Sequence, residues 1–400
     1  MMKLLSKLQN FKKMKKILFF SIVFLLFFYV FSLPSFSDRV KLNYISYAVI
    51  ILLGVSSLLY LILYSKISFD VSLFIMPAFA TWALVGTILY SHQFRAWLTL
   101  ILLSLTIFVL YWAFLCINDF CKTIQIVVGA LFCFSIYFII HYLAKGVLFS
   151  GARIGDDFAN VNTIGAYMTI GIGAALYLIM FKFRKLFLFF IVPILFFFVI
   201  GFLTGSKTFV ICTFILIIVL LFVRMKKHKI VFLISLVALI GAAFGLLQLP
   251  MLATIKTRLL IMLGTFFGSN SDTSTTTRAL WQLYAVTLGS GNLLVGYGSN
   301  GFNIYSGVGS YSHGNFAEVI CNFGLPGLFL FYSIPFYCLF VTIKKREFHP
   351  FVIAFGIYLF ITGFFSVNYY GKAVFLIISL LILLISRERE KQYGKVSFLY

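Results

Sequence analysis

Charged residues are scarce in this chain. Asp, Glu, Lys and Arg make up only 10% of its 400 residues, whereas hydrophobic residues make up 62%. Soluble domains carry roughly 25% charged residues, because their surfaces face water. The charges are too few to cover two or three soluble domains, which excludes that organisation. The composition therefore predicts a surface that faces lipid.

Acidic side chains are especially rare, with only 10 Asp and Glu residues in the chain. They form no Asp-x-Asp pair and no cluster with histidine. Catalytic metals are held by such oxygen and imidazole ligands. The sequence therefore predicts a site without a metal or other cofactor, rich in cations and suited to an anionic substrate.

Neither the cysteines nor the excess of positive charge indicates a soluble function. The six cysteines include no Cys-x-x-Cys pair and lie mostly within apolar runs, so no disulfide framework is indicated. The net charge of +22 is spread over short basic runs between apolar stretches. Because no basic surface of domain size exists, we predict no nucleic-acid partner.

Long apolar runs are abundant instead. A helix of about twenty apolar residues crosses the ~30 Å hydrocarbon core of a bilayer. The first run follows six lysines and lacks a small-residue cleavage site, which predicts a retained helix rather than a removed signal peptide. Twelve spans are predicted, at residues 17–33, 44–64, 71–90, 97–117, 124–143, 163–181, 186–203, 209–223, 230–248, 316–341, 350–367 and 373–386.

The distribution of lysine and arginine predicts the orientation of these spans, because positive residues flank spans on the cytoplasmic side. Placing the lysine-rich start inside leaves most basic runs in inner segments. We therefore predict an all-α polytopic protein of the cytoplasmic (inner) membrane, with both termini cytoplasmic. The predicted regions are residues 1–143 with five helices, 144–248 with helices six to nine and an outer loop at 144–162, 249–315 as the largest outer loop, and 316–400 with three helices and a tail.

Four basic or titratable side chains lie at the predicted outer rim, beside glycine- or asparagine-rich backbone: Arg153, Lys207, Arg278 and His313. Lys207 lies in a TGSKT break between two apolar helices. It is either a lysine that extends from a helix end to the interface, or a cation beside a helix N-terminus that favours an anion. Arg153 either assists there or pairs with the aspartates that follow it in the loop.

Arg278 and His313 each have two interpretations. Arg278 follows a hydroxyl-rich TSTTT run and is either solvated or a phosphate-binding guanidinium. His313 lies in an SHGN turn before a helix, either as an incidental loop residue or as a base at the mouth of the bundle. Asn315 and Glu318 have the spacing of a capping box, which favours a structural role for Glu318.

Four segments, taken in order, carry a set of motifs: RIGDDFANVNTIGAYM, GFLTGSKTFVI, TRALWQLYAVTLGSGNLLVGYGSNGFNIY and SHGNFAEVICNFGLPGLFLF. They resemble the G-x-x-x-N-x-N region, the T-x-S-R helix break, the large outer loop and the H-x-N … G-L-x-G helix of the O-antigen polymerase and ligase superfamily. The resemblance covers residues 150–345. Lys207 departs from it, because the family often has arginine there and lysine lacks the bidentate fork.

The resemblance implies a GT-C-like fold and glycosyl transfer from a glycan linked through diphosphate to undecaprenol. By resemblance, Arg278 and Lys207 hold the donor diphosphate with Arg153 as a helper, and His313 receives or orients the proton of the acceptor hydroxyl. The implied partners are the undecaprenyl-diphosphate-linked oligosaccharide donor, the glycan acceptor, the lipid bilayer, and flippase and chain-length regulator proteins.

The choice among three functions, and the role of one pair of asparagines, stay open at this stage. The leading interpretation is a polymerase of lipid-linked repeat units of a surface polysaccharide, and a ligase that uses another acceptor is the close alternative. A flippase or transporter of lipid-linked sugars is a third, which would require charged residues within the spans. Asn160 and Asn162 are suited either to hydrogen bonds with sugar hydroxyls or to loops and helix caps.

Overall fold

A computed structural model describes residues 2–35, 40–65, 67–148, 154–226, 228–246, 248, 256–257, 260–261, 264, 273–344 and 349–393. Helices are its regular elements, and no strand occurs in those ranges. The all-α prediction is confirmed. The helices are α1 Met2–Ser35, α2 Val40–Tyr64, α3 Ile75–Gly86, α4 Phe94–Ile117, α5 Phe120–Ala144, α6 Val161–Phe181, α7 Phe187–Leu203, α8 Lys207–Met225, α9 Lys229–Leu246, α10 Thr273–Ser290, α11 Gly301–Ser306, α12 Asn315–Lys344, α13 Pro350–Phe365 and α14 Lys372–Tyr393.

The chain is a multi-pass membrane protein. Across the described ranges, nine helices are long and apolar enough to cross a bilayer: α1, α2, α3 with its flanking turns, α4, α5, α6, α7, α8 and α12. A helix pairs its own backbone N–H and C=O groups, which is required in a bilayer because lipid tails cannot form hydrogen bonds with them. A helix also overlaps each of the twelve predicted spans. The count of twelve and the cytoplasmic placement of both termini stay predictions.

Helix α6 lies at the centre of the bundle, where it packs against α5, α7 and α8. Its glycines allow this closeness, because small residues let membrane helices approach each other. A Cβ on Gly171 would lie 2.7 Å from the ring of Phe197, and one on Gly165 would lie 3.3 Å from the Cβ of Ser206. Gly165 therefore brings the start of α6 beside the start of α8.

Helix α13 packs against both α8 and α12 and runs antiparallel to α8. Near the start of α13, Phe355 faces Gly173, as does Leu216 of α8. Tyr358, one turn after Phe355 on α13, lies beside Cys212. Cys212 is one turn before Leu216 on α8. The C-terminus of α13 therefore points toward the N-terminus of α8. We call this side of the bundle the loop end; it carries residues 154–160, 204–206, 291–314 and 366–371.

The loop after α10 is fixed between α3 and a kink in α12. Gly324 has a φ of 67° inside α12, and the next amide donates to the carbonyl of Leu293 at 2.8 Å instead of continuing the helix. Gly298 donates to the carbonyl of Asn322 at 2.7 Å. A Cβ on Gly298, whose φ is 81°, would lie 2.5 Å from the carbonyl oxygen of Gly86. Only glycine fits this crossing.

We expect Gly298→Ala to prevent stable folding, because it adds a clash with fixed backbone to the strain of a left-handed alanine. Gly307→Ala is the matched control, since Gly307 has a φ of 67° but open space around it. That variant should lose only about 1–2 kcal/mol of stability. Thermal unfolding of both variants in detergent measures the difference. Equal losses in the two variants would show that the crossing tolerates a side chain.

Candidate functional site

Two of the predicted site residues, Arg278 and His313, lie together at the loop end. Arg278 is on α10, one turn before Trp281. The indole of Trp281 is stacked on the His313 ring, with centroids 5.4 Å apart and planes 16° from parallel. Tyr311 contacts the same imidazole at 4.3 Å between centroids. The imidazole is therefore held between two aromatic rings, with the guanidinium of Arg278 close by. Arg278 and His313 are both half-buried.

The environment of His313 favours the neutral imidazole. Burial, and secondly the positive charge of Arg278, lower the pKa of His313 to about 4. Both causes oppose the charged form, because a cation is poorly solvated there and is repelled by its neighbour. At neutral pH the ring therefore keeps a lone pair that can accept a proton.

The backbone of residues 312–314 is fixed in an uncommon conformation. His313 has a φ of 65°, in the left-handed region that few residues other than glycine adopt. The hydroxyl of Ser312 donates to the carbonyl of Gly314 at 3.1 Å. A Cβ on Gly314 would lie 2.6 Å from the side chain of Gln282 on α10. Strain of this kind persists where the surrounding contacts over-determine the conformation.

The predicted capping box at Asn315 is wrong in detail. Asn315 is the first residue of α12, and its amide oxygen accepts from the backbone amides of Asn368 and Tyr369 at 2.7 and 2.9 Å. Glu318 reaches further back: its carboxylate accepts from the backbone amide of Ser312 at 2.6 Å. Glu318 is 2% exposed, so this carboxylate supports the turn that presents His313 from inside the protein.

A second group of predicted residues lies where α6 and α8 begin. The side chain of Asn160 accepts from the amide of Asn162 at 2.9 Å, so Asn160 caps α6. The hydroxyl of Ser206 donates to the side-chain oxygen of Asn162 at 2.9 Å and accepts from the amide of Phe209, which caps α8. Both asparagines therefore make structural hydrogen bonds at these helix starts, and their contact with sugar hydroxyls stays a prediction. Lys207 follows directly, as the first residue of α8.

Helix α13 relates the two groups to each other. Near its C-terminus, the carbonyl of Phe364 accepts from the side chain of Gln282 on α10 at 3.1 Å. Because α13 runs antiparallel to α8, this end also approaches the start of α8. Lys207 and His313 are thus on the same side of the bundle, with α13 between them.

Arg153, the remaining predicted site residue, lies outside the described residues. Its expected partner Asp157 has other neighbours: Lys145 donates to its carboxylate at 2.8 Å, and the His141 ring lies 3.4 Å away. The hydrogen bond from Lys145 is the main cause that lowers the pKa of Asp157. Nowhere in the described ranges do three His, Cys, Asp or Glu side chains converge as metal ligands would.

Three residues of the site were not predicted from the sequence: Trp281, Ser206 and Tyr311. Trp281 follows Arg278 at the three-residue spacing that places two side chains on one helix face, which is a usable signal. Ser206 stands at the N-cap position before an apolar run, a second signal.

Comparison with protein-family models, with curated proteins and with solved structures finds no match to this chain, so its site is interpreted from its own residues.

Proposed function

We propose that this protein polymerises undecaprenyl-diphosphate-linked oligosaccharide repeat units of a surface polysaccharide, at the outer face of the cytoplasmic membrane. The observation that carries this proposal is the pairing of a half-buried cation, Arg278, with a neutral imidazole, His313, at the loop end of a membrane bundle. The first is suited to a diphosphate and the second to a hydroxyl proton. The resemblance to the O-antigen polymerase and ligase superfamily supports the same chemistry.

In the proposed reaction, an acceptor hydroxyl oxygen attacks the anomeric carbon of the donor sugar. A nitrogen of His313 takes the hydroxyl proton, and the bond between the anomeric carbon and the diphosphate oxygen breaks. The electron pair of that bond leaves with the diphosphate, so negative charge grows there in the transition state. Arg278 stabilises this charge, because a preorganised cation acts most strongly where water is excluded.

Lys207 would contribute to the same anion. Its ammonium belongs to the first residue of α8, and the positive end of a helix dipole favours negative charge. Arg153 is a further helper in this proposal. Asn160 and Asn162, at the start of α6, would contact sugar hydroxyls in this proposal.

Reconstitution with a purified lipid-linked repeat unit tests the proposal. We expect EDTA-treated protein in proteoliposomes to extend the glycan and to release undecaprenyl diphosphate. Loss of activity in EDTA that magnesium restores would contradict the metal-free mechanism. A ligase, the alternative, would transfer glycan only when a different acceptor such as a lipid core is supplied.

A cell strain that lacks the protein gives the second readout. A polymerase predicts that the ladder of chain lengths collapses to single repeat units. A ladder of normal spacing that stays on undecaprenol would favour the ligase. An unchanged ladder, with the protein absent, would exclude both transferase functions.

A further inference from the structure

Three tyrosines from distant parts of the chain meet at the loop end. Tyr90 belongs to the turn after α3, Tyr297 to the loop after α10, and Tyr305 to α11. The rings of Tyr297 and Tyr305 lie 4.7 Å apart between centroids, and those of Tyr90 and Tyr297 lie 5.7 Å apart. Tyr90 and Tyr305 are 38% and 41% exposed. We call this surface the tyrosine platform.

The platform is held rigidly from below. Tyr297 donates its amide to the carbonyl of Cys321 at 2.9 Å, and the amide of Ser299 donates to the hydroxyl of Thr87 at 3.0 Å. The hydroxyl of Tyr305 donates to the carbonyl of Tyr90 at 3.1 Å. All three segments are therefore tied to one another or to the helix bundle. Tyrosine rings presented in this way offer contact area at low entropic cost.

Uncommon backbone conformations surround the platform. Residues Thr87–Ser91 form a π-helical turn, and His92 follows it with a φ of 53°. Asn300, between the two other tyrosines, has a φ of 61°. Such features cost free energy and occur most often at functional sites. A belt of tyrosines that only anchors a protein at the membrane interface needs neither of them.

The platform and the His313 site rest on the same small hydrophobic cluster. This cluster consists of Ala285, Phe302, Ala317 and Cys321 and is separate from the main core. Trp281, which is stacked on His313, packs against it, and so does Tyr297 of the platform. The two sites therefore belong to one structural unit, built from α10, α11 and the start of α12.

We propose that the tyrosine platform binds sugar rings of the glycan chain that is being extended; this rests on the proposed function. A sugar ring has an apolar C–H face and a rim of hydroxyls. Tyrosine matches both, with an apolar ring face and a polar tip. The chain has 51 phenylalanines and 22 tyrosines, yet all three platform rings are tyrosine. The platform holds the chain close to His313 between successive additions.

The double variant Tyr90→Ala, Tyr305→Ala tests this, with Tyr44→Ala as the matched control. Tyr44 is 67% exposed on α2. It is on the same side of the bundle as the platform, because Tyr47, one turn away, has its ring 5.2 Å from the ammonium of Lys372 at the loop end. The probe is the soluble oligosaccharide released by mild acid from the host's own surface polysaccharide. Binding to the full chain in nanodiscs should be about tenfold weaker in the double variant and unchanged in the control.

Fluorine NMR of the full chain, labelled with 3-fluorotyrosine and assigned from single Tyr→Phe variants, gives a second readout. The oligosaccharide should shift the resonances of Tyr90, Tyr297 and Tyr305 but not that of Tyr44. Absence of these shifts, or equal weakening in the control variant, would overturn the proposal and leave an interfacial aromatic belt.

The two proposals can fail separately. His313→Asn should bind the oligosaccharide as tightly as the unsubstituted chain while it transfers glycan about 10²–10⁴-fold more slowly. Binding at the platform without any transfer from lipid-linked donor would reject the proposed function alone. Transfer with normal chain lengths in the double variant would reject the platform alone.

Discussion

Replacing His313 with asparagine should lower the rate of glycan transfer by about 10²–10⁴-fold, the usual contribution of a positioned general base. Asparagine is the informative substitution, because it tolerates the left-handed conformation that His313 adopts, with a φ of 65°. The turn is therefore retained while the basic nitrogen is lost. Single-turnover rates with lipid-linked donor in proteoliposomes measure the effect.

Donor affinity is the control for this variant. Arg278 and Lys207 hold the diphosphate in the proposed mechanism, so His313→Asn should leave the Kd for the donor nearly unchanged. Arg278→Gln should weaken donor binding and also slow transfer, because it removes a cation that holds the diphosphate. A His313→Asn protein that transfers glycan at the original rate would reject His313 as the base.

The pH profile of the same reaction carries an independent signature. Protonation removes the lone pair of His313, so the rate falls as the pH falls. In the free protein the pKa of His313 is about 4, so kcat/KM should fall only near that pH. Bound diphosphate offsets the charge of Arg278, one of the two causes of this lowered pKa. The acid limb of kcat should therefore lie at a higher pH than that of kcat/KM.

The helices could be predicted from the sequence because lipid leaves few other solutions. Every predicted span overlaps a helix, since apolar length is a local property that can be counted along the chain. The break at Gly324 could not be predicted in this way. It depends on the carbonyl of Leu293 replacing a bond within α12, and this pairing of distant segments leaves no local periodicity.

In the candidate site, too, single residues could be predicted from the sequence but their contacts with distant segments could not. Arg278 and His313 were predicted individually from charge and neighbouring residues, but their proximity depends on the packing of α10 against α12. The stack of Trp281 on His313 is likewise a result of that packing. The capping role of Asn160 was one of its two interpretations, whereas Ser206 was not predicted although it precedes an apolar run. At Asn315 a correct spacing gave the wrong partner, because a distant loop at residues 368–369 competes for its side chain.

Glu318 should prove to be a positioning residue rather than an acid or base. Its carboxylate accepts from the amide of Ser312 at 2.6 Å, immediately before His313. Glu318→Gln keeps an oxygen that can accept this bond, so its kcat should stay within about threefold of the original. Glu318→Ala leaves a buried amide without that acceptor, and the turn that presents His313 loses its support.

Kinetics with saturating and limiting donor separate this role from a general loss of structure. Glu318→Ala should lower kcat by up to about 10²-fold, because small displacements of a reacting group have effects of that size. The KM for donor should change little, since Arg278 lies on α10 and does not depend on the turn. A Gln variant as inactive as the Ala variant would mean that the carboxylate itself moves a proton. Full activity in both variants would mean that packing of Gly314 against Gln282 is sufficient to hold His313 in place.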